Sequence, residues 1–96
     1  MIQQENMEEF WNPEEESEIQ GIVVDKLENI GKYKSKLYKI QDKTIIYNIW
    51  GKTQLDRLME TVMIGDKIQI TYNGLIKTKK FKMKKYTVKI INDDEE

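Results

Sequence analysis

The stretch KTIIYNIWGKTQLDRLMETV, residues 43–62, changes its hydrophobic period at Gly51, and no other feature constrains the fold as strongly. Before the glycine, Ile45, Tyr47 and Ile49 alternate with Ile46, Asn48 and Trp50, the period of two that sends successive side chains to opposite faces of a β-strand. After it, Leu55, Leu58, Met59 and Val62 fall at i, i+3, i+4 and i+7. That spacing is one face of a helix over residues 53–62, with Thr53 as its N-cap and Asp56 three residues on. A helix this short is marginal alone in water, so its apolar face must lie on the surrounding strands.

Period two recurs on both sides. EIQGIVVDKL (18–27) is rich in β-branched residues and forms a first strand, with Gly21 marking a bulge or sharp bend. GKYKSK (31–36) breaks it, KLYKIQD (36–42) is a second strand, and Asp42-Lys43 connects that strand to the third (43–50) as a hairpin. MIGD (63–66) turns the chain into KIQITY (67–72), and KYTVKII (85–91) closes the series. Between these last two strands Asn73-Gly74 carries a tight type I′ hairpin signal, so residues 75–80 are either part of an extended ribbon or a loose loop.

The order is strand, strand, strand, helix, strand, strand in a chain of 96 residues with one proline and no repeat. That length suits a single modest core. The expected fold is all-β with one short helix: an OB-fold, a five-stranded Greek-key barrel with the helix between strands 3 and 4. Its bounds are residues 10–92, flanked by acidic tails at 1–9 and 93–96, with Phe10 and Trp11 tying the N-terminal segment to the barrel.

The formal net charge of −1 conceals a strong asymmetry. Residues 1–20 contain seven glutamates and no base, and residues 93–96 are all acidic. The body between them, 21–92, holds all 16 Lys and Arg against six acids, a surplus of ten positive charges. A basic body presents a surface to a polyanion. The chain also lacks Cys and His and has only two serines, Ser17 and Ser35. Thiolate and imidazole chemistry are therefore excluded, and no tuned acid/base pair is legible, so neither catalysis nor a cofactor or metal is expected. Asp25 with Glu28, and Asp56 with Glu60, read as solvated surface charges. No apolar run approaches the roughly 20 residues of a spanning helix, and MIQQENMEEFW lacks the features of a signal peptide. The expected location is the cytoplasm of the cell or host cell.

An OB barrel binds oligonucleotides across strands 2 and 3, between the loops joining strands 1 to 2 and 4 to 5. In this chain those two loops, GKYKSK and the lysine-rich segment 74–86, hold nine of the 16 basic residues, so the lysines are concentrated rather than scattered. The candidate nucleic-acid-binding set is Lys32, Tyr33, Lys34, Lys36, Tyr38, Tyr47, Trp50, Lys77, Lys79, Lys80, Phe81, Lys82 and Lys84. Lysines neutralise phosphates without reading sequence, and aromatic rings stack on unpaired bases for roughly 1–3 kcal/mol each. A duplex hides its base faces, so single strands are the expected ligand. Arg57 is the lone arginine, which points to weak sequence preference. Tyr33 and Phe81, set among lysines, are the strongest stacking candidates. Tyr72 and Tyr86, in phase with isoleucine and valine, belong to the core. Tyr38 and Tyr47 share their faces with isoleucines and are equally compatible with packing, as is Trp50 on its mixed face.

The segments WNPEEESEIQGIVV, GKYKSKLYKI, IWGKTQLDRLMETVMIGDKIQITYNG and the lysine-rich approach to YTVKI resemble the small OB-fold single-stranded DNA-binding proteins of phages, archaeal viruses and related mobile elements. The resemblance runs from about Trp11 to Ile91, and Trp50-Gly51, Gly65-Asp66 and Tyr72 with Gly74 are its most specific positions. It implies a sequence-tolerant protein that coats and protects single strands during replication or recombination. Bacterial single-strand binding proteins are similar in their acidic C-terminal tails, which recruit proteins and compete with DNA. NDDEE departs from that pattern in lacking a hydrophobic tip, leaving electrostatic competition and protein partners at the acidic termini as expectations. Single-stranded RNA is the nearest alternative ligand. An OB-fold protein-interaction module or inhibitor, directed at a viral or host protein, is the alternative function.

Overall fold

Six strands and one helix follow one another in a computed structural model that describes residues 7–80 and 82–91: β1 Met7–Phe10, β2 Glu18–Ile30, β3 Ser35–Asp42, β4 Ile45–Trp50, α1 Thr53–Met59, β5 Lys67–Lys77 and β6 Lys82–Ile90. They form one mixed sheet in the order β1-β4-β3-β2-β5-β6. Strands β2, β3 and β4 pair antiparallel in succession, and β5 returns after α1 to pair with the far side of β2. This is a Greek key, with the fourth strand beside the first.

The sheet is six-stranded and open, where the sequence predicts five strands in a partly open barrel. Strand β1 accounts for the difference. It lies parallel to β4, with Met7 opposite Ile45 and Phe10 opposite Asn48, and so occupies the outer edge of β4. Residues 7–9, read from the sequence as acidic tail, are thus part of a strand. On the other side of the gap, the Tyr86 N–H of β6 donates to Gln54 Oε1 of α1 at 2.9 Å. Trp11 bridges the two sides: its backbone N–H donates to the Asn48 carbonyl at 3.0 Å, and its ring lies 5.9 Å from that of Tyr86.

The core follows the sequence phases. Ile19 and Val23 of β2, Tyr38 and Ile40 of β3, Tyr47 and Ile49 of β4, and Ile68 and Ile70 of β5 all point inward, with Tyr86 of β6 and the helix residues Leu55 and Met59. The helix stops at Met59, three residues before the predicted end, yet Val62 remains in the core. Its N-cap is Lys52 rather than Thr53, with no side-chain cap bond. Asp56 turns elsewhere, accepting the Tyr38 hydroxyl at 2.6 Å. Lys26 Nζ closes the C-terminal end by donating to the carbonyls of Met59 at 3.0 Å and Val62 at 2.7 Å.

Two glycines have roles the sequence placed differently. Register shifts in β2 fall after Val23 and after Leu27, not at Gly21. Gly21 instead allows close approach: a Cβ there would collide with the Gln41 carbonyl oxygen and come within 2.8 Å of its carbon. Gly21→Ala should therefore cost about 1–3 kcal/mol, the range for overpacking, read as a lower urea midpoint with unchanged m; an unshifted midpoint would contradict this packing. Asn73-Gly74 is not the hairpin turn. Two residues of β5 there oppose the single Lys85 of β6, with Gly74 at φ +94°, so the pair forms a bulge and the strands run on as a ribbon to Lys77 and Lys82.

Candidate nucleic-acid interface

Trp50 ends β4, with its side chain on the outer face of the sheet, opposite Leu37 of β3. The preceding residues Ile45, Tyr47 and Ile49 hold the strand by their contacts to the core. The Gly51 N–H then donates to the Lys36 carbonyl at 2.7 Å and turns the chain into α1. That turn leaves Trp50 at a rim, 40% exposed, between two surface depressions.

On one side is a cleft of about 290 Å³ lined by Ile30, Gly31, Lys32, Tyr33, Ser35 and Trp50. On the other, Trp50 shares a second depression of about 220 Å³ with Phe10, Lys52 and Lys84. Lys52 and Lys84 in turn line a third, of about 320 Å³, with Lys82 and Met83. The three thus form a continuous track from the β2–β3 turn, past Trp50, to the start of the β5–β6 ribbon. Each is at or below the lower limit of closed small-molecule pockets, so the track suits an extended ligand laid across the surface.

This track unites five of the predicted residues: Lys32, Tyr33, Trp50, Lys82 and Lys84. Tyr33 is 82% exposed in the turn 31–34, with Lys32 Nζ 5.6 Å from its ring centre. Lys34 is exposed in the same turn but lines none of the three depressions. Lys77 pairs across the ribbon with Lys82, and Lys79 and Lys80 lie in the connection beyond, all exposed and extending the basic surface. Phe81 lies outside the described residues.

Two predicted residues require correction, and a third, Lys36, is placed away from the track. Tyr38 and Tyr47 are only 2% and 8% exposed and pack in the core, so neither ring is available to a base. Burial, then the bond to Asp56, pushes the Tyr38 hydroxyl pKa well up and keeps it protonated. Burial likewise raises that of Tyr47. Lys36 shares the phase of Tyr38 and lines a separate pocket with Lys26 and the carboxylates Glu28, Asp56 and Glu60. That mixed-charge setting offers a phosphate little.

The sequence missed Lys52 and Phe10. Lys52 was legible as the residue next to Trp50-Gly51, but it reads there as a lead-in to the helix. Phe10 lies 5.7 Å from Trp50 between ring centres, with the planes 14° apart. Two residues before it, Glu8 Oε1 accepts from Lys39 Nζ at 2.8 Å and from Asn48 Nδ2 at 3.2 Å. These bonds, Lys39 first, hold the Glu8 carboxyl below the usual carboxylate range. Their contribution to the fold is therefore present at neutral pH and fades as pH falls through that lowered value. Among the described residues no group of three or more acidic side chains is placed to hold a metal, and no helix is long and apolar enough to cross a membrane.

No protein-family model matches the chain, and no curated protein or solved structure is significantly similar to it.

Proposed function

We propose that this protein binds single-stranded nucleic acid, DNA in the first instance, with little sequence preference and without catalysis. The observation that carries this is the track through Trp50, where four lysines, Lys32, Lys52, Lys82 and Lys84, flank two exposed aromatic rings. Phosphates would follow the lysines, and unpaired bases would stack on Trp50 and Tyr33. The Greek-key order with a helix between β4 and β5 supports reading the fold as an OB barrel opened along β4 and β6. In that frame the track runs past the ends of the second and third barrel strands, at Ser35 of β3 and Trp50 of β4, beside the face on which such folds take oligonucleotides. Coating and protection of strands during replication or recombination is the corresponding cellular role.

The two tryptophans supply the test. Trp11 is buried and Trp50 is at the track, so oligo-dT should quench the fluorescence of the native protein and of Trp11→Phe, but not that of Trp50→Phe. Oligo-U matching oligo-dT in affinity would assign RNA as an equal ligand. Absence of quenching together with absence of retention on oligo-dT at low salt would refute single-strand binding.

A further inference from the structure

The face of Trp50 that a base would need is already in use. Phe10 stacks on the indole nearly parallel to it, in the position over the ring that an unpaired base would take. Glu8, two residues earlier on the same side of β1, places a carboxylate oxygen 2.8 Å from Lys39 Nζ, as a phosphate oxygen would lie. Lys39 and Trp50 are two residues apart in register on the outer face of β3 and β4. The chain thus lays a ring over Trp50 of the track and, two residues earlier, an acid over Lys39, a neighbouring cation on the same sheet face that lines none of the three depressions.

The segment that does this is held by backbone pairing to one strand, β4, and by polar side-chain bonds, with little apolar burial. All four residues of β1 are exposed, Phe10 at 58%, so the strand buries little apolar surface. Its ion pair is open to solvent on the Glu8 side, which is half exposed, and is therefore partly screened by salt. Immediately after it the attachment changes character: Trp11 is buried, its indole N–H donates to the Glu16 carbonyl at 2.6 Å, and its backbone N–H to the Asn48 carbonyl. Residues 7–10 can lift while Trp11 stays fixed, which keeps the segment beside the face it leaves.

We propose that β1 is an autoinhibitory strap that mimics a nucleotide strand, with Phe10 in place of a base and Glu8 in place of a phosphate, and that single strands bind by displacing it. This rests on the nucleic-acid function proposed above. A site covered for most of the time has its apparent affinity reduced by the uncovered fraction. Strap closure nine-tenths of the time therefore weakens binding about tenfold.

The experiment compares oligo-dT affinity, by fluorescence anisotropy, for the native chain, Phe10→Ala and a lockable Met7→Cys/Ile45→Cys variant. Met7 and Ile45 are register partners, and the native chain has no cysteine, so an oxidised lock pins the strap and a reductant frees it. Phe10→Ala should bind about three- to tenfold more tightly. The oxidised lock should bind more weakly than its reduced form by a similar factor. Native binding that Phe10→Ala leaves unchanged or weakens overturns the strap alone, since Phe10 would then be neutral or part of the stacking platform. A lock insensitive to reductant in a protein that binds does the same. Failure of all the proteins to bind overturns both the strap and the nucleic-acid function.

Discussion

Lys52→Glu combined with Lys84→Glu will weaken oligo-dT binding by about two orders of magnitude at low salt. Both lysines line two of the three depressions and lie between Trp50 and the ribbon, so an extended strand following the track must pass them. Loss of two phosphate contacts should also make the salt dependence shallower, by about 1.4 in the log–log slope for a single strand. The control carries the same charge change elsewhere: Lys43→Glu, in the β3–β4 turn, with Lys89→Glu, on β6. Both are exposed and neither lines the track. The control should lose some affinity through the weaker overall field but keep the steeper slope. Equal losses in the two variants would remove the argument for a located track and leave only a diffusely basic body.

The largest effect on stability is expected at the other tryptophan. Trp11→Ala should cost about 3–5 kcal/mol, as for deletion of a large buried ring. That is a substantial share of the roughly 5–15 kcal/mol available to a domain of this size. Trp11 joins β4 to β6 across the opening of the sheet, so its removal vacates core volume and severs the side-chain link between those strands. Urea denaturation followed by circular dichroism measures the loss. Trp50→Ala, at a rim position, should lower stability by no more than about 1 kcal/mol. Similar costs for the two would mean that Trp11 is not the bridge described.

The elements legible in the sequence were those whose information is local. Alternation of isoleucine and tyrosine marked β3, β4 and the first half of β5, and the spacing of Leu55, Leu58, Met59 and Val62 marked the helix. Features that depended on a distant partner were not legible. MEEF has no apolar alternation, and it becomes a strand because the edge of β4 is free to pair and Lys39 is in reach of Glu8, neither of which a local window contains. Asn73-Gly74 carries a sound turn signal, but continued pairing of Leu75 with Lys84 and Ile76 with Met83 converts it to a bulge. At the candidate site, phase separates the rings: Tyr38 and Tyr47 share it with core isoleucines, whereas Trp50 has the opposite phase and reaches the surface. Lys36 and Lys34 adjoin track residues, but neither side chain lines it, because alternation along β3 turns Lys36 toward the pocket with Asp56 and Glu60 and Lys34 lines none of the three depressions.

Strand β6 is one edge of the sheet, and it carries Lys82, Lys84, Lys85 and Lys89 along nine residues. An exposed edge is a template for pairing with another chain, and lysines along it oppose that pairing by charge. Two of these residues, Lys82 and Lys84, also line the track, so under the proposed function one set of charges would serve both ligand capture and colloidal stability. Neutralising them would expose an edge that already bears Met83 and Ile90, turning a change aimed at affinity into one that promotes aggregation. Charge reversal keeps the edge repulsive, which makes glutamate, rather than alanine, the informative replacement along this strand.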